Sequence, residues 1–234
     1  LEKLFLKVSE DTHLAVNGEL QQVTDPDKLG FSLQLNTLQT TRTDLLEFLP
    51  SMIPSQISLP SNLEAKALFE GDLQNAEASF VLSSNYGDIE GESFWKSENT
   101  LKSTLNGGVE FDDFELGNLL PNYKIGNTTA SLSYTLLLPA NSDMRLQAAL
   151  EVDTIQYNDL NWQSLSFEVG YQEEALTLKG NSNDKDLDFE LLLTSELKAI
   201  QKHDLDLKIK DADLIKLGIS DSVTSFRANI NLLA

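Results

Sequence analysis

The chain has no cysteine. That excludes disulfides, thiolate zinc sites and cysteine nucleophiles, while saying little about compartment. Histidine is nearly as scarce: His13 and His203 are the only two, far apart and outside any metal-ligand spacing, so each reads as a surface residue. No Gly-x-Ser-x-Gly elbow, Walker loop or dinucleotide fingerprint occurs, and nothing points to an enzyme or a cofactor. No apolar run is long enough for a membrane-spanning helix. The first residues lack the basic, apolar and small-residue regions of a signal peptide. Cations are few, with 17 Lys and Arg against 37 Asp and Glu and a net charge of −20. Nucleic acid is excluded as a partner, because phosphate contacts need clustered Lys and Arg. Adsorption to anionic headgroups is disfavoured by the same balance.

What the chain has instead is alternation. In Leu205-Asp206-Leu207-Lys208-Ile209-Lys210 the odd positions are aliphatic and the even ones ionic. Phe31–Leu35, Ala130–Leu136 and Leu187–Leu191 repeat the rhythm. Successive strand side chains point to opposite faces, so this pattern builds a sheet with one apolar and one solvated face. The acid excess belongs to the solvated face.

The expected strands are Lys3–Ser9, Leu14–Val23, Gly30–Thr37, Leu63–Gly71, Ala76–Ser83, Asp88–Trp95, Asn99–Asn106 and Val109–Leu116. Thr128–Leu138, Met144–Val152, Leu165–Tyr171, Ala175–Gly180, Leu187–Thr194, Asp204–Lys210 and Ser225–Leu232 follow. Turn signals separate them at Asp25-Pro26-Asp27, Asn85–Asp88, Asn106-Gly107-Gly108, Pro139-Ala140-Asn141 and Asn181–Asp184. Short connections imply an antiparallel meander. Asp44-Leu45-Leu46-Glu47 reads as a helix cap with Glu three residues on, stopped by Pro50, and Gly117–Pro121 as a weaker copy.

A strand–turn–strand unit recurs. Phe31–Leu35, Asp44–Leu49 and Leu63–Phe69 form one; Val109–Leu116, Leu119–Pro121 and Thr128–Leu138 a second; Leu205–Ile209, Asp213–Leu217 and Phe226–Leu232 a third. Such repetition implies stacking along an axis and an elongated body. The chain begins and ends in mid-pattern, at Leu4 and Leu6 and at Ile230 and Leu232, and reads as one segment, 1–234, of a longer protein.

Carboxylates supply the remaining candidate chemistry. Asp112-Asp113 are adjacent, so on a strand they diverge and cannot flank one glycosidic bond. Asp184, Asp186 and Asp188 follow Asn181 and Asn183, but the glycine and terminal Glu of a calcium loop are missing, so a polar hairpin is expected. Asn127-Thr128-Thr129 is a glycosylation sequon by letter. Trp95 and Trp162 fall near strand ends, and the phenylalanines on apolar strand positions read as packing residues.

A one-faced sheet can fold into a sandwich, close into a barrel or curl into a trough, and periodicity leaves these open. Thr43–Pro50, Ile53-Pro54, Ile57–Pro60 and Leu63–Gly71 together resemble the TamB translocation-and-assembly family of diderm bacteria. Phe111–Pro121 with the Thr128–Leu138 strand is similar to the repeat of the wider AsmA-like group. The resemblance implies an all-β fold: an elongated, curled antiparallel sheet (a β-taco trough) with one or two short helices. It implies a periplasmic parent anchored in the inner membrane. That parent would conduct phospholipid towards the outer membrane and meet a BamA-like barrel through regions outside this segment. It carries no catalytic residues and no metal. The expected lining for acyl chains is Leu33, Leu35, Phe69, Phe80, Leu82, Leu101, Leu105, Phe111, Leu132, Tyr134, Leu136, Leu146, Leu150, Phe167, Val169, Leu191, Leu207, Ile209, Phe226 and Ile230. Two rival expectations are an assembly or chaperone-like segment for outer-membrane β-barrel proteins, and an adhesin-like or carbohydrate-binding β-sandwich.

Overall fold

A computed structural model describes residues 4–25, 28–48, 54, 56–98, 102–140, 143–158, 160–197, 202–217, 219–222 and 225–233. It contains one antiparallel sheet of 14 strands, curled but not closed into a barrel. The strands are β1 (Leu4–Lys7), β2 (His13–Gln21), β3 (Gly30–Thr41), β4 (Asn62–Asp72), β5 (Asn75–Ser84), β6 (Gly87–Glu98) and β7 (Lys102–Glu115). Then come β8 (Ile125–Pro139), β9 (Arg145–Tyr157), β10 (Leu160–Gln172), β11 (Ala175–Asn183), β12 (Leu187–Glu196), β13 (Lys202–Ala212) and β14 (Phe226–Leu233). Their spatial order is their chain order. The expected all-β curled sheet is therefore found, and a two-sheet sandwich is not: no second sheet exists among the described residues. No helix among them is long and apolar enough to cross a membrane.

Register carries the sequence alternation from strand to strand. Cα partners run Leu4, Val16, Leu35, Ala67, Phe80, Gly91, Val109 and then Leu132. The row continues through Leu150, Phe167, Gly180, Leu191, Leu207 and Ile230. One row thus crosses every strand without meeting a polar side chain. Residues paired across antiparallel strands share a face, so the apolar face is continuous over the whole sheet. The intervening positions form the solvated face: along β6 half-buried and exposed residues alternate without a break.

The long margins of the sheet differ. At one, α1 (Arg42–Phe48) joins β3 to β4, and α2 (Leu116–Leu119) with a 3₁₀ turn at Pro121–Tyr123 joins β7 to β8. An α-turn closed by Leu217 N–H on Asp213 O (3.0 Å) follows β13. The three recurring units are thus the neighbouring pairs β3/β4, β7/β8 and β13/β14, each topped at this capped margin. The β-bulges gather towards it, between Leu35 and Leu38, Phe111 and Phe114, Ile125 and Thr128, and Ile209 and Ala212. Bulges sharpen twist and bend a strand. The opposite, hairpin margin carries tight turns such as Leu73-Gln74 and Glu173-Glu174.

Several expectations need correction. Asn106-Gly107-Gly108 is not a hairpin turn. Over the described residues the two expected strands on either side of it merge into a single strand, β7, which ends at Glu115 and in which Gly107 pairs with Ser93 and Tyr134; Asn99 and Leu101 lie outside the described residues. Asn-Gly favours a two-residue turn locally, but here the glycine makes room for a neighbour's ring. Asp44 is not the cap of α1: the helix begins at Arg42, and Thr41 Oγ1 accepts the Asp44 N–H (3.4 Å). β11 runs on to Asn183, so its turn falls at Asp184–Asp186 and not at Asn181–Asp184. Asp112-Asp113 sit at a bulge, with Asp113 at φ 46. Leu49, Pro50, Ile53, Pro26, Asp27 and Asn141 lie outside the described residues.

Candidate functional site: an uncovered apolar face

Every expected lining residue that is described lies on the apolar face. Leu35, Phe80, Leu132, Leu150, Phe167, Leu191, Leu207 and Ile230 stand in the row that crosses the sheet. Leu33, Phe69, Tyr134 and Val169 stand in the next row towards the hairpin margin, and Leu105, Leu136 and Leu146 in the row beyond. Leu82, Phe111, Ile209 and Phe226 stand towards the capped margin. Leu101 lies outside the described residues. Small residues of the same rows escaped sequence reasoning, among them Ala67, Gly91, Gly107 and Gly180. The signal was their strand parity, which a search for large aliphatics passes over.

Surface area decides whether this face is sealed. The chain exposes 15172 Å². A compact monomer of 26.0 kDa exposes about 10,500 Å². The excess is that of a single layer with no partner layer across it. Apolar burial follows the capped margin: Ala65, Phe114, Ala130, Val152, Leu165 and Ala212 are buried there. Phe111, Leu150, Ile155, Trp162, Phe167 and Phe189 pack against the Ala130–Val152–Leu165 centre. Towards the hairpin margin Leu20, Phe69 and Leu138 are exposed. Polar groups on the face pair with one another, Ser93 Oγ with Tyr134 OH (2.6 Å) and Ser195 Oγ with His203 Nδ1 (2.9 Å).

The capped margin is tied by side chains whose partners the sequence does not show. Asp44 accepts hydrogen bonds from Ser9 Oγ (2.5 Å) and Thr12 Oγ1, and Thr12 Oγ1 also meets Thr40 Oγ1 (2.9 Å). The Ser9 bond first, then the Thr12 bond, hold its carboxyl below the usual range, against the opposing effect of burial. Tyr86 is buried; its hydroxyl donates to Leu59 O (3.1 Å) and accepts from Arg42 Nη2 (3.1 Å), while Glu115 N–H donates to Tyr86 O (2.6 Å). Ser58 N–H donates to Leu119 O (2.9 Å), joining the segment before β4 to α2. Further along, Gln163 N–H and Asp186 N–H donate to Asp184, and Asp186 in turn accepts from Lys216 Nζ. Asp184 and Asp186 are thereby parts of the margin's hydrogen bonding. In the sequon, Asn127 Nδ2 donates to Asp113 Oδ1 (2.8 Å) and Thr128 is buried.

The solvated face has two electrostatic characters. From β4 to β7 acids oppose acids directly: Glu70 faces Glu77, Asp88 faces Asp112, and Glu90 faces Glu110. From β10 to β13 they meet lysines: Lys179 and Glu168 (3.5 Å), Lys208 and Glu190 (3.6 Å), Lys210 and Glu190 (2.8 Å). The Lys210 hydrogen bond holds Glu190 below its ordinary value and reciprocally raises Lys210. Several hollows open on this solvated face. One of about 700 Å³ runs across β3 to β8 between Lys66, Glu90, Glu110 and Ser131 on one side and Gln34, Ser79, Glu92 and Ser133 on the other. A second of about 500 Å³ continues it across β8 to β11. The sequence expectation had placed the groove on the other face. Curvature and side-chain size set where hollows form, and neither is read from periodicity. The chain matches no family model, no curated protein and no solved structure.

Proposed function

We propose that the apolar face carries phospholipid acyl chains, and that the chain is a segment of a periplasmic bridge-like protein of the TamB and AsmA-like kind. Its role would be to conduct phospholipid between inner and outer membrane, its parent anchored in the inner membrane and meeting a BamA-like barrel elsewhere. The observation that carries this reading is the apolar row that crosses all 14 strands, with no layer packed over it among the described residues. Each CH₂ of an acyl chain moved from water onto such a surface gains up to about 0.8 kcal/mol. Binding therefore needs no specific contact, which fits a face whose polar pairs, Ser93 with Tyr134 and Ser195 with His203, are bonded to each other.

The test is to purify the chain without detergent and measure co-purifying phospholipid by mass spectrometry. Leu132→Arg and Leu207→Arg, both mid-face, are expected to lose most of the bound lipid while keeping the strand signature in circular dichroism. Peptide in place of lipid would favour the assembly reading for β-barrel proteins. An unaltered lipid load in both Arg variants would overturn the conduit.

A further inference from the structure

Glycine serves this sheet in two ways. Inside strands on the apolar face, Gly18, Gly91, Gly107 and Gly180 each lie beneath a large side chain of the neighbouring strand, whereas Gly71, beside the β4–β5 turn, meets the Asn75 backbone. A Cβ added to Gly91 would stand 2.5 Å from Phe80 Cζ and 2.6 Å from Phe80 Cε1. On Gly180 it would stand 2.9 Å from Phe167 Cδ1, and on Gly18 2.5 Å from Leu33 Cδ2. Gly107 lies beneath the ring of Tyr134, whose hydroxyl reaches Ser93 Oγ at 2.6 Å. In every case the covering residue is the register partner. On the solvated face Gly170 and Gly108 meet no side chain, while Gly30, at the start of β3, meets only the Gln21 side chain, at 3.7 Å. Around Gly170 nothing lies within 4 Å, and Gly108 meets only Leu132 O at 3.4 Å.

The tips of these large side chains therefore occupy the places where Cβ atoms would be. Phe80, Phe167, Tyr134 and Leu33 lie along the sheet and do not stand up from it. A strand glycine weakens its strand and packs nothing itself. Here such glycines fall in two adjacent rows in the middle of the face: Gly91 and Gly180 in one, Gly18 and Gly107 in the other. In a sandwich, large inner residues stand up to interdigitate with a facing sheet; with no facing sheet, an upright ring would only obstruct.

We propose that Gly18, Gly91, Gly107 and Gly180 are positioning residues that keep the middle of the apolar face low, leaving a smooth lane across the strands for acyl chains to slide along. This rests on the phospholipid reading above and adds what sets the clearance. The lane is apolar, and the Tyr134 hydroxyl is bonded to Ser93, so no hydrogen-bonding site detains a passing chain. The rival role for such a pair is local shielding of the glycine backbone by the ring, which is a matter of stability alone.

The experiment uses the whole chain loaded with a pyrene-tailed phosphatidylethanolamine and follows its transfer to phosphatidylcholine vesicles, with thermal unfolding measured in parallel. Gly91→Ala lifts the Phe80 ring and is expected to slow transfer at least about fivefold, the size an ordinary overpacking barrier gives. Adding Phe80→Ala to Gly91→Ala restores the rate, and Gly170→Ala leaves it unchanged. Gly180→Ala, with more clearance, gives the same reading should Gly91→Ala not fold. A folded Gly91→Ala or Gly180→Ala that transfers at the unsubstituted rate overturns the lane, as does a slow Gly91→Ala that Phe80→Ala does not rescue. An unsubstituted chain that takes up no lipid overturns the phospholipid reading itself, a result distinct from either.

Discussion

The capped and hairpin margins belong to the same strands yet are built differently. At the capped margin, Phe114 is 4% exposed, Tyr86 is buried, and hydrogen bonds run from Ser9 through Asp44 and from Arg42 through Tyr86. At the hairpin margin, Phe69 is 43% exposed and Leu20 58% exposed, and no helix caps the turns that join β4 to β5 and β10 to β11. The difference teaches that a single sheet need not be stabilised evenly. One rim supplies the dense contacts, and the rest of the apolar face is left free of a covering layer.

The largest expected effect is a direct break of that contrast. Phe114→Ala removes a buried ring that meets Phe111 edge-on at 6.0 Å, and is expected to cost about 3–5 kcal/mol. Phe69→Ala loses a half-open ring stacked on Phe31 at 4.6 Å, and is expected to cost about 1 kcal/mol. Urea unfolding of the two variants side by side measures the gap; equal costs would erase the distinction between the margins.

A smaller effect sharpens the hairpin side. Glu173 and Glu174 both have positive φ, at 53° and 61°, between the paired residues Gln172 and Ala175. Side chains there are strained, and Asn-Gly is the sequence such a turn favours. Replacing the pair by Asn-Gly is expected to raise stability by about 1 kcal/mol, read as a higher midpoint in the same urea titration.

The smallest is local to the capped side. Asp44 is held ionised below the usual carboxylate value of 3.8. Its contribution is therefore complete above that value and is lost as pH falls through the depressed native one. Amide exchange in the turn between β1 and β2 is expected to quicken, relative to β8 and β9, as pH falls below about 4. In Asp44→Asn the turn exchanges faster above that pH already, and the relative change on acidification disappears.

Much of this was legible in the sequence because strand parity is strict. Choosing large apolar or aromatic side chains of one parity within each run, as in Leu132, Tyr134 and Leu136, selects one face, and pairing register then brings the faces of separate strands together. What was not legible depended on neighbours far along the chain. Asn106-Gly107-Gly108 reads as a turn until Tyr134 is known to lie over Gly107. Asp44 reads as a cap until Ser9 and Thr12 are seen to donate to it. Asp112-Asp113 gave no sign of a bulge, since the extra residue is defined only against its partner strand. The hollows of the solvated face were missed for a related reason: small residues such as Ser79, Gly108 and Ser131 leave space only once they are set side by side.

Strand order that equals chain order has a consequence for how the molecule comes into being. Every new strand closes a loop no longer than one hairpin or one short cap, so no pairing waits for a distant segment to arrive. A chain delivered amino end first can add strands one after another as they emerge, each finding its template already in place. Damage is local for the same reason: a lost strand divides the sheet into two shorter ones and leaves each fragment's own pairings standing.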